Sequence, residues 1–444
     1  MVGFIIVWLG QAISLLGTSM SGFGLTIWAY EVTGKATALA LVGFFFILPM
    51  VVFSPMAGAI VDRSNRKLMM MISDLAAGVT TIGILVLYAT GQLQIWHLCI
   101  TGFITGTFQT FQWPAYSAAI TLMLPKEQYG RANGMIELAG ASSNIFAPLL
   151  AGALLGVIGI SGLLIIDIAT FVVAVGALLF VYVPQPARTE TGRQAQGSIW
   201  KESAYGFRHI FARPSLLGLQ IVFLLGNLFS TLGYTVMAPM ILARTGNDAV
   251  IFGAVQTVGA IGGVVGGLTM SAWGGFRRRV HGVLSGWGLS SLLGQTLMGL
   301  GQALPVWAVA SFNGAFFGPI INGSNQAIWM AKVEPDVQGR VFATRRLIAW
   351  LVSPIATLAA GPLADYVFEP AMQEGGRLAD TFGWLVGTGP GAGMSLMMVL
   401  TGLAAALVGF GAYGVRVVRD AEAILPDHDA AVAGVAGGEA AAAG

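Results

Sequence analysis

The chain has 444 residues, 56% of them hydrophobic and only 9% charged, with a mean hydropathy of +0.78 and a formal net charge of +2. Soluble domains carry about 25% charged residues, so this balance excludes an ordinary globular domain and indicates an integral membrane protein. The single cysteine, Cys99, excludes an internal disulfide and any CxxC pair, and four scattered histidines offer no metal-ligand spacing.

In chain order, apolar stretches long enough to cross a bilayer are predicted at about 3–30, 36–61, 68–90, 93–123, 131–156 and 160–183. A second set follows at about 214–243, 248–273, 280–301, 304–331, 340–367 and 390–416. The first stretch is too long for a signal-peptide core and lacks a basic start, so it reads as a retained helix. Between the sets, Pro184, Pro186, several charges and two glycines break the apolar pattern, and Trp200 to Phe211 has the composition of a short amphipathic surface helix. The predicted fold is an all-α membrane protein of twelve transmembrane helices in two six-helix bundles, residues 1–184 and 214–416. A cytoplasmic linker, 185–213, joins them. Residues 417–444, acidic and then rich in Ala and Gly, are expected to form a disordered tail. The long loop from Phe368 to Pro390 reads as a solvated connector, with partial cover of the outer mouth as the alternative.

Charge distribution sets the orientation. Of 22 Lys and Arg residues, all but Lys35, Arg244 and Arg377 fall on one side when the loops are taken alternately, leaving 22 − 3 = 19 on the other. By the positive-inside rule that side is cytoplasmic, which puts both termini in the cytoplasm of a cell with this protein in its inner membrane. A nucleic-acid surface fits poorly, because the basic groups are separated by membrane spans.

The two halves echo one another at an offset of 209 residues. Gly58 maps onto Gly267, each ending a helix that runs into a basic loop, and Gly130-Arg131 maps onto Gly339-Arg340. Parallel repeats of six spans are a way in which secondary transporters frame a central substrate site. Direct ATP coupling is disfavoured by the absence of a GxxxxGK[ST] loop, and no nucleophilic triad is visible, so no enzyme and no cofactor are expected.

The stretch Gly58, Asp62, Arg63, Arg66, Lys67 resembles the GxxxDRxxRK signature between spans 2 and 3 of the major facilitator superfamily. The resemblance implies that Asp62 faces the start of helix 11, near Arg340, in a gating network, with a simple topogenic loop as the plainer reading. Ala147-Pro148 and Gly152 in helix 5 resemble the GPxxGG motif of the antiporter branch, with Ala replacing two glycines. Tight packing of helix 5 on helix 8 is the alternative to an antiporter role. Gly339-Arg340, Ser353-Pro354, Ala360 to Asp365 and the opening Trp8 to Gly17 resemble the group of enterobactin exporters and macrolide efflux pumps.

That superfamily's fold implies a cavity lined by helices 1, 4, 7 and 10. Gln11 lies on helix 1, and Gln109, Gln112, Trp113 and Tyr116 lie on helix 4. Asn227 and Tyr234 lie on helix 7, with Asn313, Asn322, Asn325 and Gln326 on helix 10. Amides are costly in lipid, so these groups face a cavity or bond to another helix. Intramembrane acids are the candidates for proton coupling: Glu137 first, because its repeat counterpart is Arg346, then Asp167 and Asp74. A static salt bridge between Glu137 and Arg346 is equally open. The expected function is export of an amphipathic siderophore, peptide or macrolide by proton antiport, with small-molecule substrate, protons and lipid as partners and a monomer as the working unit. A proton-coupled importer or lysophospholipid flippase is the second reading, and a non-transporting membrane sensor or assembly partner the third.

Overall fold

The computed structural model describes residues 2–124, 128–182, 206–333 and 337–426, and among these there are helices and no strands. The first half opens with α1 (Val2–Thr33), α2 (Ala36–Arg63), α3 (Arg66–Ala89) and α4 (Ile95–Met123). Breaks between helices have local causes. Gly34 sits at φ 61, a left-handed conformation that ends α1. The Asn65 side chain accepts from the Leu68 amide to start α3, and Gln94 with His97 forms a capping box at α4.

Tyr129–Phe180 runs as 52 helical residues, about 78 Å at 1.5 Å per residue and far more than one bilayer crossing needs. It is two antiparallel helices, α5 (129–158) and α6 (160–180), turned at Gly159 (φ 64, ψ −176). Their partners on α1 show the reversal. Trp8 Nε1 donates to Met135 O and the Ser143 hydroxyl to Leu15 O, so α5 rises beside α1. Added methyls at Gly10 and Gly24, by contrast, would meet Ala177 and Leu163, so α6 descends. Glycines at 10, 17 and 24 form a heptad stripe along which α6 closes onto α1.

The second half contains α7 (Pro214–Thr235, continued by Met237–Thr245), α8 (Ala249–Trp273) and α9. Helix α9 comprises Arg279–Leu289, a π-helical stretch Ser290–Thr296 and Leu297–Leu300. Next come α10 (Leu304–Lys332) and α11 (Gln338–Leu363, continued through Ala364–Phe368 and Glu369–Met372), and α12 (Ala392–Gly411) closes the half. Nine segments among the described residues are long and apolar enough to cross a membrane. The longest includes the α5–α6 hairpin, while α4 and α9 are not among them. Helix α4 carries Gln109, Gln112 and Pro114, and α9 is interrupted by its π-helical turn.

Two segments are more ordered than their composition suggests. The loop after α11 is not a solvated connector. It contains a short helix, Ala379–Val386, with Met372 and Val386 fully buried and the Leu378 amide bonded to Ala371 O. Within the expected tail, Arg416–Arg419 and Ala421–Ile424 instead form helical turns whose Val418 and Ala421 are buried, and residues 427–444 lie outside the described residues. The Lys332 ammonium donates to Glu422 O and Leu425 O, and the Glu422 carboxylate accepts from the Val280 amide. Most of the linker lies outside the described residues, but residues 206–211 are helical.

One apolar cluster joins the halves. It combines Met20, Phe23, Ile27, Ala147 and Leu163 with Met240, Phe252, Val255, Ala360 and Ala364. The six other clusters each lie within one half. The joining residues come from the ends of the helices remote from the basic loops, so the bundles are sealed on that side.

Candidate functional site

Two seams close the remote side. Along α5 and α8, a methyl at Gly152 would sit 2.8 Å from Ala249 O, and one at Gly253 would sit 2.5 Å from Pro148 O. Neither position tolerates a side chain, because the obstructing atoms are backbone. The Thr257 hydroxyl donates across the seam to Ile145 O at 3.0 Å, and Phe23 stacks on Phe252 with centroids 5.1 Å apart. Ala147 is fully buried in the same seam. Along α2 and α11, a methyl at Gly361 would meet the Thr37 backbone at 2.5 Å.

Asp365 locks this second seam. Its carboxylate accepts from the Ala36 amide at 2.9 Å, the Thr37 amide at 2.7 Å and the Thr37 hydroxyl at 2.5 Å. A carboxylate on one half therefore caps the first turn of a helix on the other, where unpaired amides and the helix dipole favour negative charge. Four residues on, Glu369 accepts from the amides of Gly391 and Met394 and starts α12.

Below the Phe23–Phe252 lid lies a cavity of about 1130 Å³ between the halves. Its wall comes from α1, α5, α7, α8 and α10, and runs from the sealed end to Glu137 and Leu268 near the basic side. Of the residues that the sequence suggested for the substrate, Tyr234 reaches this wall, as do Glu137, Ala147 and Pro148. Ser19, Asn144, Gln256 and Ser311 line it as well and were not anticipated. Asn144 was the more legible of these, since it follows Glu137 by seven residues and so shares its helix face.

A second, smaller pocket of about 100 Å³ lies inside the first half. Gln11 donates to Asp74 at 2.7 Å and Gln112 donates to the other oxygen of Asp74 at 2.5 Å, while Gln112 also reaches Gln11 Oε1 at 3.2 Å. Thr18 and Thr81 donate to the two oxygens of Asp167 at 2.9 and 3.0 Å. Gln109 completes the lining. Sequence reasoning placed Gln11, Gln109 and Gln112 in the central cavity. They stand instead around two buried carboxylates, because α3 and α6 pack behind α1 and α4. Thr81 was missed, having no feature that separates it from other membrane threonines.

The other substrate candidates lie away from the cavity wall. Asn227 donates to Ala349 O across α7 and α11. Asn325 accepts from the Trp329 ring nitrogen within α10, and Gln326 accepts from Arg345 at 2.6 Å. Asn313 donates to Val309 O on its own helix. Asn322 and Trp113 are exposed, and Tyr116 packs in the apolar clusters beside Met123. Glu137 and Arg346 are both exposed and form no ion pair with one another. The guanidinium beside Arg346, that of Arg345, lies over the rings of Trp329 and Phe342. In the basic loop after α2, Lys67 donates to Leu179 O and Val181 O and so caps α6 within its own half, with Arg66 half-buried at the same turn. The side chains of Asp62, Arg63 and Arg340, and the surroundings of Gly58, lie outside the described residues.

Two helical bundles that meet at one end around a cavity have the architecture of a membrane transporter. The profile of the Major Facilitator Superfamily matches residues 7–357, and the chain belongs to that family. It is 25% identical over 378 residues to macrolide efflux protein A of Streptococcus pyogenes, covering 82% of this chain and 90% of that one. It is 26% identical over 366 residues to the multidrug efflux pump Tap of Mycolicibacterium fortuitum, covering 78% and 87%. The fold is also that of a bacterial homolog of the human lysosomal transporter Spinster in an inward-facing, unoccupied conformation. That match has a TM-score of 0.63 at 16% identity and covers 92% of this chain and 97% of that one. The protein is thus an integral, multi-pass membrane transporter that handles a small molecule.

Proposed function

We propose that this protein exports an amphipathic small molecule, of the size of a macrolide, in exchange for protons. Residues 1–184 and 214–416 rock against one another, and the form described here faces the cytoplasm. The observation that carries this reading is the cavity between the halves, sealed at one end and flanked by a pocket with two carboxylates and, among the described residues, no cation. A volume of about 1130 Å³ accommodates a ligand larger than most drug-sized molecules. The efflux names of its relatives support the direction, and the basic loops support a cytoplasmic mouth.

Coupling is assigned to Asp74 and Asp167. An acid at the centre of a membrane helix costs about 2.5–3.5 kcal/mol on insertion scales. Each hydrogen bond to a charged group returns about 1.5–3 kcal/mol, so two neutral donors, about 3–6 kcal/mol together, offset that cost without any cation. A carboxylate so balanced can gain or lose a proton as α1 and α4 shift with the cavity. Asp62, Arg63, Arg66, Lys67 and Arg340 are assigned to the gate on the cytoplasmic side, which must form when this mouth closes. The α5–α8 seam at Pro148 and Gly152 acts as the opposing gate. The direct test compares metabolites in medium and cell extract between a deletion strain and its parent. A compound lost from the medium and retained in the cells supports export. A compound depleted only inside the cells supports import instead.

A further inference from the structure

On the basic side of the second half, α8 ends at Trp273, and Gly274 and Gly275 (φ 78 and 86) turn the chain into Phe276-Arg277-Arg278-Arg279. Trp273 and Phe276 meet edge to face with centroids 4.6 Å apart, and both are exposed. Arg279 donates to Ala327 O at 3.0 Å and is held against α10. Arg277 and Arg278 are exposed and make no hydrogen bond or ion pair among the described residues. The segment after α12 brings two more arginines to this place as a docked strap. Its Val418 is buried against Gly218 of α7, where an added methyl would lie 2.6 Å from the valine Cγ2. Tyr413 stacks on His281 and shares a 3.1 Å hydrogen bond with its Nδ1, while Glu422 accepts from the Val280 amide at 2.9 Å. These ties seat the strap on the first turn of α9, directly after Arg277 and Arg278. Arg416 and Arg419 are exposed there, as are Val415 and Val417. Asp420 links the two sets. It accepts from Arg419 at 3.1 Å and is held below the usual carboxylate range by that bond, with the charges of Arg278 and Arg416 adding to the effect. Among the described residues, four arginines therefore share one free-standing carboxylate, since Glu422 is taken by an amide. A surplus of guanidinium charge edged by exposed aromatic and aliphatic side chains matches a phosphate that carries acyl chains, whereas a soluble anion would leave the apolar edge unused.

We propose that the α8–α9 turn and the docked strap form one site for an anionic phospholipid headgroup, with Arg277, Arg278, Arg416 and Arg419 facing the phosphate and Trp273 and Phe276 in the interface beside it. The site requires only that the chain sits in a bilayer, so it stands or falls apart from the export reading. It also gives the strap a task, because half of the arginines reach the site through its docking on α7 and α9.

The test offers the full-length protein, in a neutral detergent, equimolar dioleoylphosphatidylglycerol and dioleoylphosphatidylcholine, and counts retained lipid by native mass spectrometry. The two lipids share their chains and differ in net charge. Wild type retains the anionic lipid in preference, by about tenfold or more. Arg277→Gln/Arg278→Gln and Arg416→Gln/Arg419→Gln each cut that preference by about fivefold, roughly the worth of one arginine at an anionic surface. The quadruple Gln variant has no preference, and the quadruple Lys variant, which keeps the charges, retains most of it. Equal retention of both lipids by wild type, or a preference that survives in the folded quadruple Gln variant, overturns the proposal. So does an equal loss in Lys126→Gln/Arg131→Gln, which removes two basic residues around the start of α5 in the first half. A preference that falls with Arg277 and Arg278 but is unchanged in Arg416→Gln/Arg419→Gln overturns the part played by the strap.

Discussion

Replacing Asp365 by Asn removes the charge that ties α11 to the first turn of α2. In the sealed form this carboxylate accepts three hydrogen bonds, from two amides and one hydroxyl of the opposite half. Asparagine keeps one oxygen and presents an NH2 group where an acceptor is required, so at least one bond is lost. The others lose their charge assistance, each being worth about 1.5–3 kcal/mol with an ionised acceptor and about 1 kcal/mol without. The interaction of the charge with the start of α2 adds about 0.3–1 kcal/mol. At the low end of these ranges the sealed form is weakened by about 3 kcal/mol relative to one in which these ends part and water takes the donors. That is a change in ratio of about 100-fold or more, at about 1.4 kcal/mol per factor of ten. A sealed form favoured about 100-fold would fall to near parity. Cys99 is the only cysteine, so a Cys99→Ser background permits nitroxide labels at Val32→Cys and Glu374→Cys on opposite halves. Pulsed electron resonance should show a new long-distance population in Asp365→Asn. Identical distance distributions in a folded, membrane-inserted variant would refute the role of this carboxylate as a latch.

Other perturbations follow from the same geometry. Gly253→Val drives a side chain into the Pro148 carbonyl and should destabilise the sealed form by about 1–3 kcal/mol, whereas Gly83→Ala meets nothing within 4 Å. Thermal unfolding in detergent should separate the two, and equal midpoints would count against the tight seam. Glu369→Ala leaves two amides at the start of α12 unpaired, at a cost of about 1–2 kcal/mol. Hydrogen exchange at Gly391 and Met394 should accelerate, and unchanged protection would show that other contacts hold that turn.

Much of the fold was legible because membranes impose it. Apolar length marked the spans, and Gly159 lies in the short gap expected between 131–156 and 160–183. The site was harder to read. The sequence marks Gln11 and Gln112 as polar groups in lipid, yet their destination depends on where α3 carries Asp74, and helix rotation is set by packing among neighbours. Asp365 was visible as an acid near the outer end of its helix, but its partners at Ala36 and Thr37 are more than 300 residues away. The loop between α11 and α12 looked solvated from its glycines. Its order comes from Met372 and Val386, two apolar side chains whose burial no local pattern signals.

The central claim, proton-driven export coupled through the carboxylates of the first half, is tested most directly in proteoliposomes of the purified chain with an imposed pH gradient. Accumulation of a labelled macrolide should rise with the gradient in the wild type. In Asp74→Asn/Asp167→Asn, exchange down the substrate's own gradient should persist while gradient-driven accumulation is lost. Full pH-driven accumulation by that double variant would contradict the account.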